Sequence, residues 1–152
     1  MPSRPILFSD QIASSLKESF PDPYGDIDIV AEGGEGRIHA AVAVILRGAT
    51  DPEVLLIKRA ERDGDPWSGQ MALPGGRKDS TDSTLLETAV RETEEETTVP
   101  LANVGTPLGR MEGMDPSTRR LPPLTIFPFV FQVPEETEAV PDSDEVDETL
   151  WV

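Results

Sequence analysis

An apolar run from Ile38 to Leu46, with the sequence IHAAVAVIL, most constrains the fold of this 152-residue chain. A strand with one solvent-exposed face alternates apolar and polar residues, whereas a strand buried on both faces is apolar almost throughout. We therefore expect residues 38–46 to form a strand that is buried on both faces. The run VLLI at residues 54–57 predicts a second buried strand soon after it.

Two segments have the periodicity of amphipathic helices. Residues 9–20 place apolar side chains on one face at four-residue intervals, namely Ile12, Leu16 and Phe20. Residues 83–97 form the main predicted helix, with Asp82 or Ser83 as its N-cap. Spacing of i, i+3, i+4 and i+7 predicts the stripe that faces the core: Leu86, Ala89, Val90 and Thr93.

Three further strands are predicted, at residues 71–73, 103–110 and 124–133. Pro128 lies within the last of them, and because proline cannot donate to the ladder, it predicts a sheet edge or a bulge. The acidic segment 134–148 predicts a solvated loop.

The strands and helices together indicate one α/β or α+β domain. We expect it to span residues 1–152, with residues 1–30 as an N-terminal helix and its lead-in. The sequence stops as residues 150–152 begin a strand, so the C-terminus looks truncated and one sheet face is expected to lack cover. A homodimer would supply that cover.

Composition limits the chemistry. The formal net charge is −16, which argues against nucleic acid or an anionic membrane reached through a broad basic face. The chain has no Cys, which excludes disulfides, thiolate zinc sites and a Cys nucleophile, and one His, His39, which excludes a multi-His metal site. No apolar run has the length of a signal-peptide core or a membrane span, so a cytoplasmic protein is expected.

The chemistry is concentrated in residues 91–96, Arg-Glu-Thr-Glu-Glu-Glu. On a helix, Glu95 and Glu96 lie three and four residues from Glu92, and such neighbours are about 5–6 Å apart at Cβ. Like charges at this spacing repel, and a hard divalent cation reverses that effect, because Mg²⁺ and Mn²⁺ prefer oxygen ligands. The alternative is a solvated acidic helix face.

Residues 75–99 resemble the Nudix box, a family pattern that begins with Gly and ends in Arg-Glu-apolar-any-Glu-Glu-any-Gly-apolar. The matching positions are Gly75, Gly76, Arg91, Glu92, Glu95, Glu96 and Val99. Thr98 occupies the slot of the final Gly, so it has to accept the geometry of a helix C-terminus. The resemblance implies an α/β fold, the Nudix-type α/β/α sandwich with a mixed β-sheet.

The same resemblance implies a hydrolase that cleaves a nucleoside diphosphate linked to another group, a small-molecule substrate. It assigns Mg²⁺ or Mn²⁺ to the three glutamates, Glu92, Glu95 and Glu96, with the Gly75 carbonyl as a further ligand. Phosphoryl transfer mainly requires stabilisation of the negative charge on the reacting phosphates. In a chain this acidic, the divalent cations supply that stabilisation.

The coenzyme A pyrophosphatase branch of the family resembles the chain most. The shared features are an Asp in the acid slot, Asp82; the stretch Leu-Leu-Glu-Thr-Ala-Val-Arg-Glu at 85–92; and Gly-Gln followed by Pro-Gly-Gly at 69–76. This likeness implies cleavage of coenzyme A or a CoA ester to 3′,5′-ADP and (acyl-)4′-phosphopantetheine. ADP-ribose, NADH or a nucleoside triphosphate is the alternative substrate, and an idle nucleotide-binding domain or an acidic scaffold is the alternative class.

A general base is also required, and in this family it is a glutamate of the box or of a later loop. The predicted catalytic residues are Glu92, Glu95 and Glu145, and the other later candidates are Glu112 and Glu148. Four residues are candidates for substrate contact: Arg59, Arg119 and Arg120 for phosphates, and Trp67 for stacking. For each of these later candidates, a surface or packing role is the alternative.

Overall fold

The computed structural model describes residues 8–21, 37–48, 50–65, 68–116 and 123–152. The helices are α1 (Phe8–Ser19), α2 (Leu85–Thr97) and α3 (Leu101–Val104). The strands are β1 (Ile38–Arg47), β2 (Glu53–Arg59), β3 (Met71–Ala72), β4 (Gly75–Arg77), β5 (Thr106–Arg110), β6 (Leu124–Val133) and β7 (Val146–Trp151). None of these helices is long and apolar enough to cross a membrane.

A seven-stranded mixed sheet forms the framework, with the order β3-β2-β1-β6-β5. β1 runs parallel to β6 along its whole length, from Ile38 opposite Leu124 to Arg47 opposite Val133. β4 pairs with the first half of β1 and β2 with its last residues, while β7 adds to β2. The sheet therefore splits beyond β1 into two arms, and the turn before β4 lies where they part.

The prediction of a doubly buried strand at 38–46 is confirmed. One face of β1, with Ala41, Ala43 and Ile45, packs into the main core with α2. The other face packs with α1, where Val44 and Leu46 meet Leu16. Helices thus cover both faces of a mixed sheet, which confirms the predicted α/β fold class.

The N-cap of α2 differs from the prediction of Asp82 or Ser83. Thr84 is the cap: its side chain accepts the backbone N–H of Glu87 at 3.1 Å. The Glu87 carboxylate in turn accepts the N–H of Ser83 at 2.7 Å. Thr-x-x-Glu is the spacing of a capping box, so the sequence carried the correct signal.

Thr98 ends α2 in the left-handed region, with φ 64° and its N–H donating to the Glu94 carbonyl at 3.0 Å. The expectation that Thr98 accepts this geometry is therefore confirmed. Glycine has no steric penalty there, whereas a β-branched residue in this region is strained.

Pro128 does not lie on an edge strand, because β6 lies between β1 and β5. Its carbonyl accepts the Met111 N–H at 2.9 Å, one residue past the end of β5, and pairing resumes only at the Met114–Ile126 bridge. The missing N–H of Pro128 thus falls where the ladder is interrupted. Of the two positions predicted for Pro128, the edge was wrong; the other, an irregularity in the strand pairing, agrees with this interruption of the ladder.

The other differences lie at element ends. Residues 101–104 form α3, so the strand predicted at 103–110 begins only at Thr106. The acidic segment 134–148 is not a loop throughout, because β7 begins at Val146, whose side chain is buried. The charged residues of β7 made this segment look like a solvated loop in the sequence.

Candidate active site

Arg91 is the centre of an ion-pair network on α2. Its Nε and Nη2 atoms each donate to one carboxylate oxygen of Asp82 at 2.9 Å. Its Nη1 donates to Glu92 at 3.0 Å and to Glu95 at 3.2 Å. The Arg91 hydrogen bonds, helped by the hydroxyl of Thr88, lower the pKa of Asp82 from 3.8 to about 2 against the opposing effect of burial. One guanidinium thus pairs with several carboxylates at once, most closely with Asp82.

Glu96 lies deeper than any other acid of α2, and only 3% of the residue is exposed. Its Oε1 accepts the backbone N–H of Gly75 at 2.8 Å. Burial raises the pKa of Glu96 to about 8, a change that the Gly75 N–H and the charge of Arg59 oppose and the charge of Glu92 reinforces. The positive charge around this carboxyl group is insufficient to compensate for its burial.

Glu92 packs directly against the glycine turn. A Cβ on Gly76 would come within 2.5 Å of the Glu92 Cδ, and a Cβ on Gly75 would collide with the carbonyl oxygen of Ala41. Gly75 therefore requires glycine because the β1 backbone approaches it closely, whereas a side chain at Gly76 would displace the carboxylate of Glu92. Burial raises the pKa of Glu92, and the nearby charge of Arg91 opposes the shift.

Glu95 differs from these two acids, because its side chain is 56% exposed and is engaged by Arg91. Among the residues that the structure describes, no three acidic or histidine side chains gather into a metal-binding group. The donor chemistry nevertheless fits Mg²⁺ or Mn²⁺, since Glu92 and Glu96 offer carboxylate oxygens at the glycine turn and burial raises the pKa of both. Glu95 joins such a ligand set only by leaving Arg91.

A turn before β7 brings Glu145 to the same side of the molecule. Its N–H donates to Ser143 Oγ at 3.0 Å, and its carbonyl accepts the N–H of Ala60 at 2.8 Å, which ties the turn to the end of β2. The charge of Glu145 raises the pKa of Glu92 and of Glu96. Glu145, the candidate base, thus lies close enough to Glu92 and Glu96 for its charge to act on both.

The segment that leads into this turn is attached to the carboxyl end of α2. Val140 N–H donates to the Thr97 carbonyl at 2.9 Å, and Asp142 N–H donates to the Glu96 carbonyl at 3.1 Å. The peptide before Glu145 is therefore bonded to the helix residue that carries the buried carboxylate.

Arg59 is the last residue of β2 and lies beside this turn. Its Nη2 donates to Asp65 Oδ2 at 3.0 Å, and its charge acts on Glu96. Sequence reasoning found Arg59 but missed Asp65, because nothing in the pattern of residues 60–70 distinguished one acid from its neighbours. It also missed the bidentate pairing of Asp82 with Arg91, which depends on how the intervening loop folds.

Two of the remaining candidates, Glu148 and Glu112, lie apart from this cluster, and the other three, Trp67, Arg119 and Arg120, lie outside the described residues. Glu148 pairs with Lys58, so it lies on the face of the sheet opposite to Leu55, which packs with α2. Glu112 follows β5, at the far side of the sheet from β2.

Comparison with known proteins places these features in context. A family model described as the NUDIX domain matches residues 37–152. A protein named as an uncharacterized Nudix hydrolase, NudL, from Yersinia enterocolitica is 35% identical over 108 residues, which is 71% of this chain and 52% of that protein. NudL from Pectobacterium atrosepticum is 35% identical over 109 residues, covering 72% and 54%. The chain thus spans about half the length of these curated relatives.

Two solved structures share the fold. A Caenorhabditis elegans Ap4A hydrolase in a binary complex has a TM-score of 0.60 and 19% identity, with 75% of this chain and 78% of that one covered. The NUDIX domain of Shewanella oneidensis NrtR in complex with ADP ribose has a TM-score of 0.57 and 20% identity, with 90% and 80% covered. At these identities the likeness concerns the arrangement of the backbone.

Proposed function

Because the chain belongs to the Nudix domain family, we propose that it is a divalent-metal-dependent pyrophosphohydrolase that cleaves a nucleoside diphosphate linked to another group. The observation that carries this proposal is the carboxyl group of Glu96, buried beside the Gly75 amide with its pKa raised to about 8. Burying an ionisable group without a full partner is costly, and such groups cluster at functional sites.

The proposed cofactor is Mg²⁺ or Mn²⁺, held by Glu92, Glu95 and Glu96 with the Gly75 carbonyl. Such an ion neutralises the diphosphate and lowers the pKa of water. The chain's own contribution is to hold two carboxylates against a glycine turn, with Glu96 on the Gly75 N–H and Glu92 against Gly76.

Glu145 is the proposed general base. It accepts a proton from water as the water oxygen attacks one phosphorus of the diphosphate, and the bond from that phosphorus to the bridging oxygen breaks. The second phosphate leaves with the bridging oxygen. Arg59 is the proposed phosphate contact, since its guanidinium lies on the Glu96 side of the sheet.

Coenzyme A or a CoA ester is the proposed substrate, and the support for it is the run of motifs at 69–76 and 85–92. ADP-ribose is the second candidate, because a domain of the same fold is bound to ADP ribose. An idle domain that only binds a nucleotide is the alternative class, and the presence of all three core glutamates argues against it.

The direct test is product analysis after incubation with CoA, ADP-ribose, NADH or a nucleoside triphosphate, each with Mg²⁺ or Mn²⁺. We expect 3′,5′-ADP and 4′-phosphopantetheine from CoA; AMP from ADP-ribose alone would move the assignment to the second candidate. The variant Glu96→Gln removes one proposed metal ligand and should hydrolyse the substrate more slowly. Its matched control is Glu94→Gln, since Glu94 is exposed on the same helix. Absence of hydrolysis across the panel would contradict the proposal.

A further inference from the structure

Arg62 lies against the proposed base. Its Nη1 atom is 3.7 Å from Glu145 Oε1, an ion pair that is too long for a hydrogen bond. The Arg62 side chain is 50% exposed and that of Glu145 is 56% exposed. A half-exposed guanidinium thus lies beside a carboxylate whose charge acts on Glu92 and Glu96, where an incoming ligand can reach it.

The loop that carries Arg62 is attached to the turn that carries Glu145. The Ala60 N–H donates to the Glu145 carbonyl at 2.8 Å, two residues before Arg62. Arg62 donates its own N–H to Ser68 Oγ at 2.6 Å, and its carbonyl accepts the Asp65 N–H at 3.3 Å. These bonds hold the backbone of residue 62 close to the turn, so the Arg62 side chain is confined to the neighbourhood of Glu145.

The ion pair with Glu145 is easily exchanged for a stronger one. A pair between exposed side chains contributes little to stability, because water and salt screen it and both side chains lose rotamer freedom. A hydrogen bond from a guanidinium to a phosphate oxygen is stronger, since the planar fork of donors matches the spacing of anionic oxygens. A diphosphate at this site therefore gains more from Arg62 than Glu145 loses.

The position beside the base also favours a phosphate partner. A general base lies within hydrogen-bond reach of the proton that it removes. The attacking water then lies between Glu145 and a phosphorus atom, and the oxygens on that phosphorus come close to a group that contacts Glu145. Arg62 is such a group.

From this geometry we infer that Arg62 is a substrate contact: its guanidinium leaves Glu145 and donates to a phosphate oxygen of the diphosphate. The ligand class rests on the proposed function, and the assignment of Arg62 goes beyond it. The exchange also removes the cation from Glu145 when substrate is bound, which leaves the carboxylate to accept the proton of water.

The test measures binding of α,β-methylene-ADP, a diphosphate that cannot be hydrolysed between its phosphorus atoms, by calorimetry with Mg²⁺. We expect Arg62→Ala to weaken binding by about tenfold, the effect of losing one charged hydrogen bond. Arg62→Lys keeps the charge without the planar fork and should recover part of the loss. In the Glu145→Gln background, Arg62→Ala should weaken binding at least as much, because no ion pair has to be given up.

Lys17→Ala is the matched control, because Lys17 is an exposed cation of α1, on the other face of the sheet, and the substitution changes the charge equally. We expect it to bind the analogue as the wild type does. Wild-type affinity in Arg62→Ala, or no binding by the wild type, would overturn the inference. A loss that disappears in the Glu145→Gln background would overturn it too, since Arg62 would then act only by holding Glu145. A wild type that binds in the expected pattern but hydrolyses no substrate would contradict the proposed function alone.

Discussion

The two ends of one acidic cluster on α2 differ in how their charges are met. Just before the helix, Asp82 is matched by the Nε and Nη2 donors of Arg91, and its pKa falls to about 2. Toward the end, Glu96 is buried beside a single amide, and its pKa rises to about 8. The first arrangement stabilises the fold, whereas the second is costly unless positive charge arrives from outside. The difference separates an acid that stabilises the fold from a proposed metal ligand where the sequence shows only a run of acids.

The largest expected effect comes from Glu96→Gln. Removing a metal ligand of a phosphoryl-transfer site removes several kcal/mol of charge stabilisation, so we expect activity to fall by at least about a hundredfold. The thermal stability should stay the same or rise, because the cost of burying an ionisable group is removed while the amide oxygen of Gln can still accept the Gly75 N–H. Activity assays and thermal unfolding on the same sample check both expectations. A large loss of stability would mean that Glu96 stabilises the fold as Asp82 does.

Metal binding should act on the second region only. If Mn²⁺ binds the native state, a concentration one hundred times its dissociation constant stabilises the protein by about 2.7 kcal/mol. Thermal unfolding with and without Mn²⁺ measures this shift. Glu92→Gln combined with Glu96→Gln should abolish it, and Asp82→Asn should retain it; a shift that survives the first pair of changes would place the ion elsewhere.

Asp82→Asn tests the first region. Lowering the pKa from 3.8 to about 2 corresponds to about 2 kcal/mol of stability, which the variant should lose. A depressed folded-state pKa stabilises the protein above the unfolded value, so the wild type has this contribution above about pH 4 and loses it as the pH falls toward 2. Denaturant unfolding across pH 2–6 should show the wild type converging on the variant at the acid end; equal stability at pH 6 would refute the assignment.

The smallest effect is expected at Thr93, which lies between the two regions on the buried stripe. Its hydroxyl has no partner in the described part of the chain. Valine has the same shape without the unmet polar group, so Thr93→Val should stabilise the protein by about 1 kcal/mol. Activity should be unchanged. If activity falls with Thr93→Val, the hydroxyl belongs to the site and the boundary between the regions has to move.

Local patterns predicted the parts of this fold whose causes are local. The apolar run of β1 and the periodicity of α2 identified both elements, and continuing the stripe from Ala89 through Thr93 reaches Glu96. An acid on a buried stripe is the signal that could have marked Glu96 as different from Glu95. The Thr84 cap was missed although its Thr-x-x-Glu spacing was present.

Contacts that depend on loop conformation could not be predicted. The pairing of Arg91 with Asp82 requires the chain to turn back over nine residues, and the bond from Ala60 to Glu145 joins distant segments. The spacing of these residues along the sequence determines neither contact. Pro128 shows the same limit, because whether a proline is tolerated inside a sheet depends on where the adjacent strand stops.

The backbone N–H groups of Val140 and Asp142 donate hydrogen bonds to the last two carbonyls of α2. These two hydrogen bonds attach the peptide before Glu145 to the end of the helix. Fluctuations of the acidic connection should therefore stop at these bonds and leave the separation between Glu145 and Glu96 constant. In hydrogen exchange, the amides of 140 and 142 should open together with the end of α2. We expect a substrate of different size to be accommodated by other segments.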